Sequence, residues 1–379
     1  MRLRAEPLDR VLSRAVEAGR VSGLVAGVAD RDGPLYVSAA GLARTGAPRR
    51  MATDTVFRVA SLAKPITTLA VLMLREVGAL DLEAPLSDYL PGYRQPGVLE
   101  SFDERTLDFT TRESDTAITL RHLLTHTSGY GYWFLHRPLR LLARGEPRVF
   151  EPPFLVADPG RRFAYSVSTD VLGQIIAPVS GLPLGEYLRR RVFLPLGMPD
   201  TGWAPPGDLG RLASVHQRED GGLAERPDEA PVVEPRGGGS LFSTVPDYLR
   251  LLQLLLRDGE LDGVRLVRPD AVEAMCRNQI GDLKAEVQTT ADPNFTNDFI
   301  FMDGTQQFGF GLMIETRPRD SGRPTGTASW GGILNTYFWI DRRTGIAGVV
   351  MMQVRPFADP DCLQVWAGLE RAVYDQLGV

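Results

Sequence analysis

The feature of the sequence with the clearest chemical meaning is a serine followed three residues later by a lysine. Ser61 and Lys64 lie at the start of a long apolar segment that predicts a helix. Residues three apart share one helix face, so the hydroxyl and the amine can meet. A serine hydroxyl is a weak nucleophile unless a base takes its proton, and a lysine shielded from water can be that base. The pair predicts acyl transfer through a covalent serine intermediate, and a helix-capping serine beside a surface lysine is the alternative.

The rarity of lysine in this chain gives Lys64 added weight. Lys64 and Lys284 are the only lysines among 42 lysine and arginine residues. Arginine keeps its charge at any working pH, whereas a suitably placed lysine can release its proton. A lysine at position 64 therefore favours a role in proton transfer.

The position of Pro65 locates the start of the helix that carries the pair. Proline is tolerated in the first turn of a helix, where its missing N–H costs nothing, so the helix begins near Ser61 and ends at Gly78. The free N–H groups and the positive dipole end at this point favour an oxyanion beside Ser61.

Five segments, taken in order, resemble the serine β-lactamase and penicillin-binding-protein superfamily. The resemblance is closest to its carboxylesterase branch, the family VIII esterases that are akin to class C β-lactamases. The segments are residues 57–64, 119–129, 165–173, 194–202 and 330–332. Ser-x-x-Lys alone is a weak pattern, but the ordered set spans most of the chain.

The resemblance implies a third catalytic residue. Tyr165 matches the tyrosine that faces the Ser–Lys pair in that family and carries the proton to the leaving group. Whether Lys64 or Tyr165 is the formal base stays open. The alternative for Tyr165 is a core aromatic residue whose hydroxyl binds a backbone carbonyl.

The resemblance also implies an oxyanion hole at the third motif, which is expected at the start of a sheet strand. The backbone N–H groups of Ser61 and Ile333 would form the hole, and Trp330 would line the acyl pocket. Gly331 and Gly332 suit this position, because a backbone without side chains can approach the acyl carbonyl closely. A glycine-rich strand with a packing tryptophan is the alternative.

Aromatic residues after the second segment could cover an apolar substrate pocket. The cluster contains Tyr130, Tyr132, Trp133 and Phe134, with Tyr130 and Trp133 as the leading candidates and the core of a helical domain as the alternative. His122 and His126 are spaced for a metal site, but no acidic partner completes one, and a structural role is expected. The sequence has no Gly-x-Ser-x-Gly run, which excludes the α/β-hydrolase nucleophile turn. No metal or organic cofactor is expected.

Two departures from the penicillin-recognising pattern bear on the substrate. No Lys-Thr-Gly motif exists, and Trp330 stands where its cation would be. Val167 replaces the usual asparagine of the tyrosine motif, so no amide is present to bind a lactam. Residues 343–345 look superficially like a substitute, but they are predicted to form a turn after a strand. An unpaired substrate carboxylate would face an aromatic ring, which disfavours β-lactams and D-Ala-D-Ala peptides.

Composition limits the partners. The chain of 379 residues has a net charge of -5 and 43% hydrophobic residues, as in globular proteins, and no basic stripe for nucleic acid. Its longest apolar run, residues 66–74, is too short for a membrane span, and the N-terminus lacks a signal-peptide pattern. Cys276 and Cys362 form no disulfide or metal pattern. A cytoplasmic protein with a small-molecule ester substrate is expected, without nucleic acid or membrane as a partner.

The distribution of helix and strand patterns predicts an α+β fold of the β-lactamase type. Strand patterns lie near both ends of the chain and helical ones between them, which indicates an antiparallel sheet flanked by terminal helices, with an inserted helical domain. The expected division is residues 1–82 and 245–379 for the sheet domain and 83–244 for the helical domain, with the active site at their interface. Helices are expected to start after the capping residues Thr244 and Asp359, and residues 308–314 are expected to form one strand.

Three functional hypotheses follow from these observations. The first is an esterase that cleaves short-chain carboxylic esters through an acyl-enzyme on Ser61. The second is an acyltransferase that passes an acyl group from a thioester to an alcohol, since residues 356–362 resemble both branches. β-Lactamase or D-peptidase activity, or a penicillin-binding module without turnover, is the less favoured alternative.

Overall fold

The protein is described by a computed structural model covering residues 1–143, 152–205, 207–220, 222–227 and 234–378. The helices in these residues are α1 Ala5–Glu17, α2 Ala63–Glu76, α3 Leu120–Leu124, α4 Arg137–Leu142, α5 Ser168–Ser180, α6 Leu184–Leu188, α7 Leu194–Leu196, α8 Val245–Leu256, α9 Pro269–Cys276 and α10 Pro360–Leu377. Short 3-10 helices span Ala60–Leu62, Leu86–Asp88 and Leu209–Arg211, and a π-helical turn spans Arg189–Phe193. None of the helices in this part of the chain is long and apolar enough to cross a membrane.

The strands come mainly from the two ends of the chain. They are β1 Gly23–Asp30, β2 Pro34–Arg44, β3 Arg49–Arg50, β4 Phe57–Arg58, β5 Val98–Phe102, β6 Phe109–Arg112, β7 His216–Glu219, β8 Gly222–Glu225, β9 Phe242–Ser243, β10 Glu260–Leu261, β11 Val264–Arg265, β12 Gln307–Phe308, β13 Met313–Ile314, β14 Ala328–Gly332, β15 Thr336–Asp341, β16 Ile346–Met351 and β17 Val354–Arg355.

The central sheet has eight strands in the order β12-β13-β14-β15-β16-β1-β2-β3. Every neighbouring pair is antiparallel, and β1 lies beside β16, with Val25 opposite Met351. N-terminal and C-terminal strands therefore share one sheet, which confirms the predicted α+β class with an antiparallel sheet built from both ends.

Helices cover both faces of this sheet. Tyr337 and Phe338 are consecutive residues of β15, so their side chains point to opposite faces. Tyr337 stacks on Trp366 of α10 with ring centroids 4.5 Å apart, and Phe338 packs against Tyr248 of α8 at 5.5 Å. The sheet is thus held between α8 on one side and α10, which also packs against α1, on the other.

The segment expected to form the helical domain, residues 83–244, contributes α3 to α7 together with β5 to β9. Its residues 144–151, 206, 221 and 228–233 lie outside the described part of the chain. Helices α2 and α5 pack against each other, which brings the start of α5 toward the Ser61 turn.

The predicted helix starts are confirmed because capping is a local interaction. The Thr244 hydroxyl accepts the N–H of Asp247 at 3.3 Å, and the Asp359 carboxylate accepts the N–H of Cys362 at 3.0 Å. The predicted turn after β15 is also confirmed, since the Asp341 carboxylate accepts the N–H groups of Arg343 and Thr344.

Two predictions about strands were wrong. Residues 308–314 do not form one strand but the hairpin of β12 and β13, which pairs Phe308 with Met313. Gly311 has a φ of +74°, and a Cβ there would strike the hydroxyl of Thr68 on α2, so a close tertiary approach interrupts the strand. Residues 330–332 lie at the end of β14, not at the start of a strand.

Candidate active site

Ser61 lies in the middle of the short turn Ala60–Leu62 that leads directly into α2. Ala60 has a φ of +47°, in the left-handed region that costs a residue with a side chain about 1–2 kcal/mol. Hydrogen bonds hold the turn in this shape: the Val59 N–H donates to the Leu241 carbonyl at 2.9 Å, and the Leu62 N–H donates to the Val59 carbonyl at 3.0 Å. The serine is therefore presented from a strained, fixed turn.

Lys64 lies one helical turn after Ser61 and is buried, with 1% of its surface exposed. Its Nζ donates to the Ser61 Oγ at 3.0 Å and to the Gly238 carbonyl at 2.7 Å. The same Nζ lies 5.4 Å from the ring centre of Tyr132 and 5.0 Å from that of Tyr165. Aromatic faces and two acceptors thus hold the amine against the serine.

Tyr165 reaches Ser61 from the other side, just before α5. Its hydroxyl is 2.8 Å from the Ser61 Oγ and accepts the Trp330 Nε1–H at 3.3 Å. The structure therefore brings together Ser61, Lys64 and Tyr165 from segments far apart in the sequence, with the serine oxygen in hydrogen-bonding range of both proton-carrying groups.

The end of β14 packs against the turn that carries Ser61. A Cβ on Gly332 would lie 2.5 Å from the Val59 carbonyl, so a residue without a side chain is needed for this contact. Gly331 faces the opposite side, where a Cβ would lie 2.8 Å from the Tyr337 ring, and it does not face the nucleophile turn. Ile333 follows directly in the turn to β15, and its N–H has no hydrogen-bond acceptor among the described residues.

Tyr130 and Trp133, the leading candidates for covering the substrate pocket, contact other parts of the chain. The Tyr130 hydroxyl pairs with that of Tyr93 at 2.8 Å beside a cavity of about 640 Å³. Trp133 packs against Phe295, and the Arg140 guanidinium lies over its ring.

Tyr132, another member of the predicted aromatic cluster, lies beside Tyr165 and Lys64. Its ring packs edge-on against Tyr165 with centroids 5.1 Å apart, and its hydroxyl lies 3.5 Å from the Asp170 carboxylate. Burial, followed by the charge of Asp170, raises the pKa of Tyr132 well above its ordinary value, so the hydroxyl stays protonated. The sequence contained no signal that separates Tyr132 from the aromatic residues around it.

Asp170 is a buried carboxylate close to the site, and it was not predicted from the sequence. Burial raises its pKa, whereas the Lys64 cation and the Gly238 N–H, which donates to Oδ1 at 3.0 Å, oppose that rise. Its position five residues after Tyr165, in the first turn of α5, could have pointed to it.

His122 and His126, the two histidines spaced for a metal site, interact with neighbouring residues of the fold. His122 completes a capping box with Thr119 at the start of α3. The His126 Nδ1 lies 3.2 Å from the Ser166 hydroxyl, and its ring packs edge-on against Tyr165 with centroids 4.9 Å apart. Burial, and then the Lys64 cation, hold the pKa of His126 well below its usual range, so the imidazole is neutral.

Comparisons with known proteins agree with this fold over nearly its full length. A beta-lactamase family model matches residues 8–372. Esterase EstB from Burkholderia gladioli is 31% identical over 386 residues, covering 92% of this chain and 90% of the esterase. Monacolin J acid methylbutanoyltransferase from Aspergillus terreus is 30% identical, covering 97% and 95% of the two chains. The solved structure of simvastatin synthase LovD from Aspergillus terreus, in its LovD6 mutant, matches with a TM-score of 0.83 at 31% identity, covering 99% of this chain and 96% of that one.

The chain belongs to the beta-lactamase family, and the predicted family resemblance is confirmed. Within that family it is similar to an esterase and to an acyltransferase.

Proposed function

We propose that this protein is a carboxylesterase that hydrolyses small-molecule esters through an acyl-enzyme on Ser61. The observation that carries the proposal is the position of the Ser61 Oγ, 3.0 Å from the Lys64 Nζ and 2.8 Å from the Tyr165 hydroxyl. A serine becomes a nucleophile when a neighbouring group takes its proton, and two such groups touch this oxygen.

The reaction runs in two halves. The Ser61 Oγ attacks the ester carbonyl while its proton passes to the Lys64–Tyr165 pair, and the carbonyl becomes an oxyanion. The N–H groups of Ser61 and Ile333 bind that oxyanion, and Gly332 lets the strand approach closely enough for this. When the tetrahedral intermediate collapses, the bond to the alcohol breaks and the pair returns the proton to the alcohol oxygen. A water molecule then attacks the acyl carbon while the same pair takes its proton; the bond to the Ser61 Oγ breaks, the carboxylic acid leaves, and the proton passes to the Ser61 Oγ.

The site favours neutral substrates over β-lactams. The Trp330 side chain is buried, with 2% of its surface exposed, and its N–H already donates to Tyr165. Val167 is also buried and apolar. These positions therefore supply neither a cation for a substrate carboxylate nor an amide for a lactam, and an anion placed there would lose its hydration without compensation.

Intact-mass spectrometry tests the proposal. The wild-type protein is incubated with a panel of p-nitrophenyl esters, thioesters and β-lactams, and mass gain and product release are followed together. Ser61→Ala should lose both the acyl adduct and ester hydrolysis, while Ser13→Ala, on α1, should retain both. Undiminished hydrolysis by Ser61→Ala would refute the nucleophile, and a β-lactam adduct without steady turnover would instead support a penicillin-binding module.

An acyltransferase is the second candidate, and a specific observation favours it. A methylbutanoyltransferase is 30% identical over nearly the whole of both chains, and the structure of a simvastatin synthase matches over 99% of this chain. The two functions share the acyl-enzyme and differ in whether water or an alcohol attacks it. Product partition in the presence of a bulky alcohol distinguishes them, since an esterase yields mainly the free acid.

A further inference from the structure

Tyr165 lies in a short segment whose backbone is bound by His126 on both sides of the tyrosine. The Ala164 N–H donates to the His126 carbonyl at 2.8 Å, and the Ser166 N–H donates to the His126 Nδ1 at 3.3 Å. The Tyr165 N–H itself donates to the Gln288 Oε1 at 3.2 Å. Three successive N–H groups therefore have fixed acceptors, and His126 supplies two of them.

The ring of His126 packs against the side chain that this segment carries. It lies edge-on to the Tyr165 ring with centroids 4.9 Å apart, and the Phe308 ring borders it at 5.5 Å. His126 is buried and has a φ of +54°, in the left-handed region that costs a residue with a side chain about 1–2 kcal/mol. Such a conformation persists only where the surrounding contacts hold it, so His126 and the Tyr165 segment fix each other.

The Ser166 N–H shows which nitrogen of the His126 ring carries the proton. A backbone N–H can only donate, so Nδ1 is the acceptor and bears no proton. Burial, and then the Lys64 cation, keep the pKa of His126 well below its usual range, so the ring is neutral and its proton is on Nε2. Nδ1 is therefore available as an acceptor throughout the reaction.

Three buried serine hydroxyls extend this interaction from the imidazole to the neighbouring loop. The Ser166 hydroxyl lies 3.2 Å from Nδ1, to which it can only donate. Its oxygen then accepts the Ser168 hydroxyl at 2.8 Å, and the Ser168 oxygen accepts the Ser128 hydroxyl at 2.7 Å. Buried hydroxyls are costly unless they are hydrogen-bonded, and a fully bonded row favours one arrangement. The row therefore ties residues 126–128 to residues 166–168.

We propose that His126 is a positioning residue for Tyr165: by binding the backbone on both sides of the tyrosine, it holds the phenol oxygen 2.8 Å from the Ser61 Oγ. This role is the same whichever group takes the serine proton, because the phenol has to lie beside that oxygen in either case. The inference rests on the proposed function for its catalytic meaning, but the state of the His126 ring can be measured without any substrate.

NMR of the histidine nitrogens reads the His126 ring directly. The chain contains four histidines, so protein labelled with 15N in histidine gives few signals, and His126→Asn identifies those of His126. The wild type should show an unprotonated Nδ1 and a protonated Nε2, even at about pH 6, below the ordinary histidine pKa of about 6.5. A proton on Nδ1, in the other neutral tautomer or in the imidazolium, would overturn the inference, because that nitrogen could not accept the Ser166 N–H.

Two substitutions separate the acceptor of His126 from its ring. In His126→Asn the amide oxygen can take the place of Nδ1, and asparagine tolerates a positive φ, whereas His126→Phe keeps a ring and has no acceptor. In His126→Phe kcat should fall about 100-fold with KM little changed, as expected for a misplaced catalytic group. In His126→Asn kcat should stay within about threefold of wild type. Equal kcat values for the two variants would overturn the inference.

The chain offers a matched control for these variants. The His122 Nδ1 also accepts a backbone N–H, that of Thr119 at 3.2 Å, so His122→Phe removes the same kind of contact at the start of α3. It should lower Tm and leave kcat unchanged. If His126→Phe does not fold, His126→Gln replaces it, because its longer side chain moves the amide oxygen away from the position of Nδ1.

The effect of His126 should also depend on the Tyr165 hydroxyl. In a Tyr165→Phe background, His126→Phe should lower kcat by less than about twofold more, because no phenol is left to misplace. A further loss as large as that in the wild-type background would show that His126 acts on the whole site, and it would overturn the positioning role. A wild type without ester turnover would refute the proposed function alone, since the NMR spectrum still decides whether Nδ1 accepts the Ser166 N–H.

Discussion

Tyr165→Phe removes a hydroxyl from the site and keeps the aromatic ring, so its effects on catalysis and on folding can be measured separately. The ring has aromatic contacts that Tyr165→Phe retains, with centroids 4.9 Å from His126, 5.1 Å from Tyr132 and 4.8 Å from Trp330. The hydroxyl forms hydrogen bonds with the Ser61 Oγ at 2.8 Å and with the Trp330 Nε1–H at 3.3 Å. The substitution therefore removes two polar contacts and leaves the packing in place.

The expected magnitudes differ for stability and for rate. The buried Trp330 N–H loses its acceptor, so the free energy of unfolding should fall by about 1–2 kcal/mol. Loss of a positioned proton-transfer group typically costs 10²- to 10⁴-fold, so kcat should fall about 10³-fold, which corresponds to about 4 kcal/mol in the activation barrier. KM should change little, because the hydroxyl acts in the transition state.

Two esters of one acid make the assay specific for proton transfer. An ethyl ester needs a proton on its leaving alcohol, whereas p-nitrophenolate leaves without one. Tyr165→Phe should therefore slow release of ethanol more than release of p-nitrophenol. Tyr36→Phe is the matched control, since its hydroxyl donates to Asp9 at 2.7 Å on α1 and should affect stability alone. A folded Tyr165→Phe with kcat within tenfold of wild type for both esters would refute the role of this residue.

Three further changes have defined outcomes. Lys64→Arg should reduce kcat nearly as severely as Lys64→Ala, by at least about 10³-fold, because arginine keeps its charge and cannot take the proton of Ser61. Gly332→Ala should lower kcat about 100-fold, since its Cβ would displace the turn before Ser61, whereas Gly331→Ala should mainly lower Tm by crowding Tyr337. Burial raises the pKa of Asp247 to about 6, above its unfolded value, so the folded state loses stability as pH rises from about 4 to about 6. The free energy of unfolding of Asp247→Asn should then be about 1–2 kcal/mol higher than that of wild type at pH 7, and the two should be equal at pH 4.

Each of these outcomes has a direct check. For Lys64, the rates at which Lys64→Arg and Lys64→Ala hydrolyse p-nitrophenyl acetate are measured, with Lys284→Arg, which alters an exposed lysine, as the control. If Lys64→Arg is much more active than Lys64→Ala, Lys64 acts as a fixed charge and not as a base. For the glycines, kcat and Tm are measured for both variants. Equal effects of Gly331→Ala and Gly332→Ala on kcat would contradict the conclusion that only Gly332 faces the Ser61 turn. For Asp247, urea unfolding at both pH values suffices, and a gain that does not depend on pH would exclude the ionisation as its cause.

Local patterns in the sequence were sufficient for the elements whose limits depend on neighbouring residues. Thr244 and Asp359 located the starts of α8 and α10, because a cap forms between residues three apart. The strand expected at residues 308–314 was wrong for the opposite reason: Gly311 turns the chain where Thr68 of α2 comes close, and that contact lies far away in the sequence.

What the sequence alone determined was the Ser61–Lys64 pair, because an i, i+3 spacing on a helix is a local geometry. The family resemblance added Tyr165, which spacing alone could not place. Only the tertiary structure decided that the rings of Tyr132 and Tyr165 lie beside the Lys64 amine, and that the Gly238 carbonyl and the Asp170 carboxylate interact with it. Those contacts join segments more than 60 residues apart, at Gly238 and Asp170. They depend on how α2, α5 and residues 237–239 pack, and no pattern within one segment encodes that packing.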